Sequence, residues 1–375
     1  MSNHRAFIDG SQAIVQGAMD AGCDFFAGYP ITPASEILVG MLQALPQVGG
    51  TGIQAEDEIA AIGICIGAVL AGARAMTATS GPGISLYSEN LGLAIMGEVP
   101  LVIVDCQRMG PATGGATTVA QGDIQFLRWG TSGGYPLIVL SPASVADCYA
   151  LTRRAFALAE RFRTPVILAT DKEMVSTRAA VEISSLEAIP VPPRQTLSPD
   201  HPFRIFDPDD PAKIIPLAHL GGPHRVRFTT STHDPLGYLT QDPLTVGALN
   251  LHLAAKIESH RHELEFGILD LQEGADVLFV SYGTPARAMG EAVALARERG
   301  QRVSSLTVQS LWPVPEGLLC RALAGIRRVV VAELNLGQYR REIERLAAGR
   351  EVIGVHRVDG EIISPEAILE KGFSR

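Results

Sequence analysis

Four short stretches carry side chains that could do chemistry, and each follows or opens an apolar run. In Gly28-Tyr29-Pro30-Ile31-Thr32-Pro33 a hydroxyl stands between two prolines. The prolines stiffen the backbone around Thr32, so its hydroxyl could orient a carboxylate or carbonyl, or could simply cap the next helix. Glu56-Asp57-Glu58 opens the apolar run Ile59–Ala73. Acidic residues at a helix N-terminus are favourable by about 0.3–1 kcal/mol each and need no further purpose. Three of them exceed what capping requires, and a carboxylate beside so apolar a helix is partly desolvated, which raises its pKa and strengthens its hydrogen bonds. Ser80-Gly81-Pro82-Gly83 lies between a strand and a helix, where backbone amides can cradle an anion. It lacks the third glycine of a dinucleotide fingerprint. Gln107-Arg108-Met109-Gly110 follows the strand-like PLVIVDC, which sets Arg108 to grip a carboxylate through two nitrogens at a sheet edge, or to form a structural ion pair.

Other chemistries find no pattern. The nine histidines form no metal-ligand spacing, and His252, His260 and His262 fall on one polar stretch expected to face solvent. No metal site is expected in this chain. There is no nucleophile elbow of the GxSxG kind and no P-loop. The five cysteines, Cys23, Cys65, Cys106, Cys148 and Cys320, never approach CxxC spacing and sit among apolar residues, as buried reduced thiols would. Their odd number, without a secretory signal, points to the cytoplasm, and their spacing leaves no iron–sulfur cluster in this chain.

The elements that must position these residues read as an α/β chain. With 375 residues, 46% hydrophobic and 19% charged, it can form two well-buried domains. The net charge of -9 and the lack of a Lys/Arg run exclude nucleic acid as a natural partner. The longest apolar run stops at Arg74, short of the roughly 20 residues that span a bilayer, so it reads as a buried central helix and no membrane is expected. Its Gly63 and Gly67 would let another helix approach closely. Helix-like and strand-like segments alternate from about residue 8 to 175: a helix over Pro33–Leu45 opened by its proline, one over Glu58–Ala73, one over Leu86–Gly97 and one over Val145–Phe162, with apolar strands between. Apolar strands separated by helices imply a doubly wound parallel sheet. Residues 176 to 265 are rich in proline and read as irregular chain, and the alternation returns near residue 276. The expected division is 1–190, an irregular connector 191–265, and a smaller doubly wound domain 266–375.

Together these segments resemble one family, the alpha subunits of 2-oxoacid:ferredoxin oxidoreductases. GYPITPAS at 28–35, QAEDEIAAIGICIGAVLAGARAMTATSGPGISLYSEN at 54–90, VDCQRMGPATGGATTVAQGD at 104–123 and AELNLGQYRREIERLA at 332–347 carry the likeness. Gly10-Ser11-Gln12-Ala13 departs from the GNEA of many relatives. The resemblance implies a pyrimidine-binding-type domain of thiamine diphosphate enzymes, followed by a domain like the C-terminal one of transketolase. It makes Glu58 the carboxylate that hydrogen-bonds the cofactor's pyrimidine ring and activates it; Glu58 is preferred to Glu56 because it sits in E-x-A-A-x-G. It gives Thr32 and Arg108 the substrate's carboxylate and carbonyl, and Tyr29, Pro30, Ile31, Ser80 and Gly81 contact with the cofactor.

The same resemblance assigns the diphosphate, Mg2+ and a [4Fe-4S] centre to a beta subunit, coenzyme A (CoA) to the reaction as cosubstrate, and electrons to ferredoxin. The minimum assembly is an alpha–beta heterodimer, doubled to (alpha-beta)2. Within the family the chain looks most like the 2-oxoglutarate type, giving succinyl-CoA and CO2, with reductive carboxylation as the reverse reaction. A branched-chain 2-oxoacid or pyruvate enzyme is the alternative, and Arg128 or a residue of the partner subunit is a candidate cation for a second substrate carboxylate. A non-catalytic dinucleotide-binding module and a self-sufficient thiamine decarboxylase are readings of other classes. The first lacks its glycine fingerprint and the second its diphosphate motif.

Overall fold

The computed structural model describes residues 5–186 and 189–374. Its first part runs β1 (Arg5–Asp9), α1 (Gly10–Asp20), β2 (Phe25–Gly28), α2 (Ser35–Ala44), β3 (Thr51–Gln54), α3 (Glu58–Leu70), β4 (Ala75–Thr79), α4 (Gly81–Leu86), α5 (Ser88–Met96), β5 (Val102–Gln107), α6 (Ile124–Trp129), β6 (Ile138–Leu140), α7 (Val145–Phe162), β7 (Val166–Asp171), α8 (Lys172–Ser176) and β8 (Arg178–Glu182). A long connection carrying α9 (Pro243–Glu258) leads to β9 (Gly267–Asp270), β10 (Val277–Ser281), α10 (Pro285–Glu298), β11 (Val303–Val308), β12 (Ser310–Trp312), α11 (Glu316–Ala322), β13 (Arg328–Glu333), α12 (Arg340–Leu346), β14 (Glu351–His356) and α13 (Pro365–Phe373).

The strands form a seven-stranded sheet in the order β12-β6-β7-β5-β4-β2-β3, a five-stranded sheet in the order β14-β13-β10-β11-β9, and the small pair β1-β8. In the larger sheet every pairing is parallel except that of β12 with β6, and in the smaller every pairing is parallel except that of β9 with β11. Strands β4, β5 and β7 are buried along their whole length, as a parallel sheet covered on both faces requires. The expected α/β doubly wound architecture is therefore present. The two sheets are not independent: β12 leaves the second unit to close the edge of the first sheet, and one apolar core runs from Ile62 and Tyr87 to Trp312 and Tyr339.

Several local expectations need correction. Helix α2 begins at Ser35 with Ala34 at its N-cap, so Pro33 precedes the helix instead of occupying its first turn. The helix after β4 starts earlier than the pattern implies: Ser80 is its N-cap, so Gly81–Gly83 belong to α4. The single helix expected over Leu86–Gly97 is two, α4 and α5, meeting at Tyr87, whose buried hydroxyl lies 2.8 Å from that of Thr77. Helix α3 is not enclosed: Ile59 is half exposed, and ideal side-chain carbons at Gly63 and Gly67 would meet nothing. Cys320 is exposed, unlike the other four cysteines.

The largest correction lies in the connector, where α9 spans sixteen residues. Asp242 caps it by accepting from the Thr245 amide, and Pro243 sits in its first turn. Its inner face brings Leu249, Leu253 and Ile257 into the core. His252, expected in solvent, is fully buried, because it stacks on Phe206 and joins the Pro211 carbonyl to the Glu98 carboxylate. His260 packs edge-on against Phe162, and His262 is exposed.

Candidate active site

Strands β3, β2, β4 and β5 are consecutive neighbours and parallel, so their carboxyl ends share one edge of the sheet. The four candidate stretches follow these four strands. Such an edge is where open α/β sheets bind ligands.

After β3, the three acidic residues separate into different roles. Asp57 is the N-cap of α3 and accepts from the Ala60 amide. Glu56 is exposed, whereas Glu58 is 8% exposed. Among the described residues the Glu58 carboxylate accepts no hydrogen bond. It lies against Gly83 of α4: an ideal side-chain carbon there would fall 2.7 Å from Glu58 Cγ, 3.1 Å from its Oε1 and 2.0 Å from Thr79 Oγ1. Only glycine lets α4 come this close, which is the physical meaning of the second glycine in the Ser80–Gly83 stretch.

After β2, Tyr29 and Ile31 are half-buried and Pro30 and Thr32 exposed, with Ile31 resting on the core. After β5, Arg108 reaches back across the edge. Its Nη1 donates to the Thr32 carbonyl at 2.6 Å and its Nη2 to the Thr113 carbonyl at 3.2 Å. Arg108 and Thr32 are thus brought together, through the main chain of Thr32. Burial pulls the guanidinium pKa down, while the charges of Glu58 and Asp123 pull it back up.

The loop beyond Arg108 turns back on itself. Gly115 donates to the Met109 carbonyl and Met109 to that of Thr118. Gly114, at φ +48°, has no room for a side-chain carbon against the Met109 carbonyl. The loop returns at Asp123, whose amide donates to Gln107 Oε1 at 3.1 Å. Here a cavity of about 560 Å3 opens between the two α/β units, lined by Gly81, Arg108 and Asp123 on one side and Asn335, Gln338 and Val358 on the other. The Asn335–Gln338 turn is tied to this loop: Asn335 Nδ2 donates to the Gln121 carbonyl, and the Gln125 amide donates to Gln338 Oε1. Glu58 and Thr32 do not line the cavity; they flank it through Gly83 and Arg108.

Two features depart from expectation. Arg128 does not line this cavity; it lies over the Trp129 ring and donates to the Gly134 and Tyr135 carbonyls. Asp105 and Asp123, for which the sequence analysis gives no role, are an acidic pair: Asp123 lines the cavity, and Asp105, fully buried in β5, feels its charge. Burial, and then the charge of Asp123, pushes Asp105 well above the usual carboxylate range. Burial lifts Asp123 to about 6 against the pull of Arg108. An acid within the otherwise apolar run PLVIVDC was the signal for Asp105. Asp123 carried none, since an acid before a helix ordinarily reads as a cap.

In overall architecture the chain is matched by a split-gene transketolase, with a TM-score of 0.56 over 98% of this chain and 97% of that one, at 16% identity, which speaks for the fold alone. The fold and the gathered strand ends define a two-unit α/β protein of this transketolase-like kind. More specifically, the chain belongs to the pyruvate flavodoxin/ferredoxin oxidoreductase family. Residues 16–229 match its thiamine diphosphate-binding region, and residues 275–368 match core domain II of pyruvate:ferredoxin oxidoreductase.

Among relatives, 2-oxoglutarate synthase subunit KorA of Methanothermobacter marburgensis is 42% identical over 97% of both chains, and that of Methanothermobacter thermautotrophicus is 42% identical over 97% of this chain and 96% of its own. Ketoisovalerate oxidoreductase subunit VorB of the latter organism is 35% identical over 97% of this chain and 96% of its own. A solved 2-oxoglutarate:ferredoxin oxidoreductase from Magnetococcus marinus, with 2-oxoglutarate, coenzyme A and succinyl-CoA bound, superposes with a TM-score of 0.92 at 31% identity. It covers 98% of this chain, which spans 64% of that one. No helix among the described residues is long and apolar enough to cross a membrane.

Proposed function

We propose that this chain is the alpha subunit of a ferredoxin-dependent 2-oxoglutarate oxidoreductase. In complex with a beta subunit it converts 2-oxoglutarate and CoA to succinyl-CoA and CO2, passing the electrons to ferredoxin, and the reaction is reversible in principle. The observation that carries the substrate is a comparison within one organism. Methanothermobacter thermautotrophicus holds both paralogues, and this chain is 42% identical to its 2-oxoglutarate subunit against 35% to its ketoisovalerate one.

The residues fit thiamine diphosphate. Glu58 offers a nearly buried carboxylate that no donor reaches among the described residues, which suits a ring nitrogen in need of a charge-assisted bond. Glu58 would hold the aminopyrimidine, with Tyr29, Pro30, Ile31, Ser80 and Gly81 around it. When bound, the cofactor supplies an electron sink for cleavage of the carbon–carbon bond beside the substrate's carbonyl. The part of Glu58 is to keep a proton shared with the ring, in a setting dry enough for that bond to count. The part of Arg108 is to orient the substrate's carboxylate, its fork held rigid by the Thr32 and Thr113 carbonyls. The Thr32 hydroxyl, on the same turn, would complete that grip. The diphosphate, Mg2+ and a [4Fe-4S] cluster would belong to the beta subunit, two heterodimers would pair by two-fold symmetry as (alpha-beta)2, and the enzyme would work in the cytoplasm.

The test is CoA-dependent reduction of a low-potential viologen dye by the isolated chain and by the complex with its partner, across 2-oxoglutarate, pyruvate and 2-oxoisovalerate. Activity in the complex alone, highest with 2-oxoglutarate, is expected. A preference for another acid overturns the substrate, and a cofactor-loaded complex inert to all three overturns the reaction.

A further inference from the structure

At the cavity and in the strand beside it, two acids are buried with carboxylate oxygens that no hydrogen bond reaches among the described residues. Asp105, the fourth residue of β5, is fully buried, and neither of its carboxylate oxygens has a hydrogen-bond partner. Asp123 lines the cavity with its Oδ2 buried and likewise unpartnered. Gly81, where α4 begins, leaves room for it: an ideal side-chain carbon there would stand 3.2 Å from that oxygen. Among the described residues the cation that acts on Asp123 is Arg108. Its Nη1 and Nη2 are committed to main-chain carbonyls, and its Nε is buried without a partner. Glu58 on α3 faces Arg108 from the other side. Other polar neighbours are neutral: Thr79, in register with Asp105 on β4, Gln107 on β5, Ser85 on α4, and Asn335 and Gln338 across the cavity, while burial pushes up the Cys106 thiol beside Asp105.

We propose that Asp123, backed by Asp105, couples the binding of an anionic 2-oxoacid on Arg108 to the uptake of a proton by this carboxylate pair. The inference rests on the reading of Arg108 as the substrate's anion anchor. Two carboxylates this dry cannot both be ionised cheaply, so they titrate as a unit. Bringing a substrate carboxylate to Arg108 adds another negative charge beside the pair and spends the guanidinium's field on the ligand. Both effects favour the neutral form of Asp123. The proton comes from solvent and stays on a carboxylate oxygen; no bond to carbon is made or broken. Asp123 is thus a positioning residue acting through Arg108. Since Asp123 titrates near 6 before the ligand arrives, affinity should fall as pH rises above that point, by up to about tenfold per pH unit until the liganded pair has itself lost its proton.

Titration calorimetry of the assembled complex, in two buffers of different ionisation enthalpy at about pH 7, counts the proton directly. The probe is N-oxalylglycine, which keeps both carboxylates and the 2-oxo oxygen of 2-oxoglutarate while its amide carbonyl resists attack. The wild-type complex should take up close to one proton per site, and its affinity should weaken several-fold from slightly acid to slightly alkaline pH. Asp123→Asn should bind the probe with little proton uptake and a flat pH profile, and Asp105→Asn should reduce the uptake as a second, independent variant. Undiminished uptake in Asp123→Asn overturns the coupling. Arg108→Met separates the two readings. If it loses the probe while Asp123→Asn keeps full uptake, the anchor stands and only the coupling falls. If it binds as tightly as wild type, anchor and coupling fall together.

Discussion

Charge is buried in two places in this molecule, and the two are built in opposite ways. Where α9 packs on the first sheet, Glu98 accepts from both Lys256 and His252 at 3.0 Å, while Lys256 also donates to the Arg163 carbonyl at 2.8 Å. Burial alone would push the Glu98 carboxyl up, yet Lys256, Arg163 and His252 hold it well below the usual carboxylate range. At the cavity, burial wins: it raises Asp105, helped by the charge of Asp123, and it raises Asp123 against the pull of Arg108. The same desolvation therefore ends in opposite pKa shifts according to what stands beside the carboxylate. A charge paired with cations, as Glu98 is through its Oε2, fastens one element to another, whereas one without such pairing is free to answer to a ligand.

The largest expected effects sharpen this contrast from both sides. Glu58→Gln in the complex should lower CoA-dependent dye reduction by about 10²–10⁴-fold, the range for loss of a proton-handling group. Stability should hardly move, since that carboxylate is engaged by no hydrogen bond of the fold. Exchange of the thiazolium proton of bound cofactor, followed by NMR, should slow in parallel, and unchanged exchange would sink the role given to Glu58. Lys256→Met should do the reverse. Removing one partner of a buried pair leaves Glu98 uncompensated and should cost about 3–5 kcal/mol, read as a lowered midpoint in urea unfolding. Turnover per folded complex should stay near wild type, because Lys256 lies outside the cavity lining. A Lys256→Met complex of full stability but poor turnover would erase the distinction between the two places.

The sequence disclosed these two regions unequally. The strand ends were legible because each candidate stretch follows an apolar run, and the parallel order β3-β2-β4-β5 is what places them on one edge. The 18-residue helix α7 was legible to the residue, since its amphipathic period and the Ser144 cap agree. The α9 seam was missed because the prolines around it read as irregular chain, although Asp242-Pro243 carries a helix-start signature. The partners of His252 lie 41 and 154 residues away, at Pro211 and Glu98, a separation no local pattern conveys. Arg128 misled for a related reason: its charge was visible, but its direction is set by the Trp129 ring and the Gly134–Tyr135 turn. Likewise β12 read as part of the second unit by position, and only its pairing with β6 assigns it to the first sheet.

The smallest of these effects is also the one with an unusual sign. Asp123 titrates near 6 in the folded chain, against an ordinary carboxylate value of 3.8 when unfolded. The folded state therefore binds more protons in between, and stability falls as pH rises through that window. The penalty is absent below the unfolded value and complete above the folded one. Asp123→Asn removes the titration, so near pH 8 the variant should be more stable than wild type by about 1–3 kcal/mol, and the difference should vanish toward pH 4. Urea unfolding of both proteins across that range measures it. A gain that did not depend on pH would mean that the substitution relieves packing and not charge. A loss at every pH would mean that Asp123 is a paired structural acid like Glu98, and the contrast between the two buried regions would collapse at the cavity.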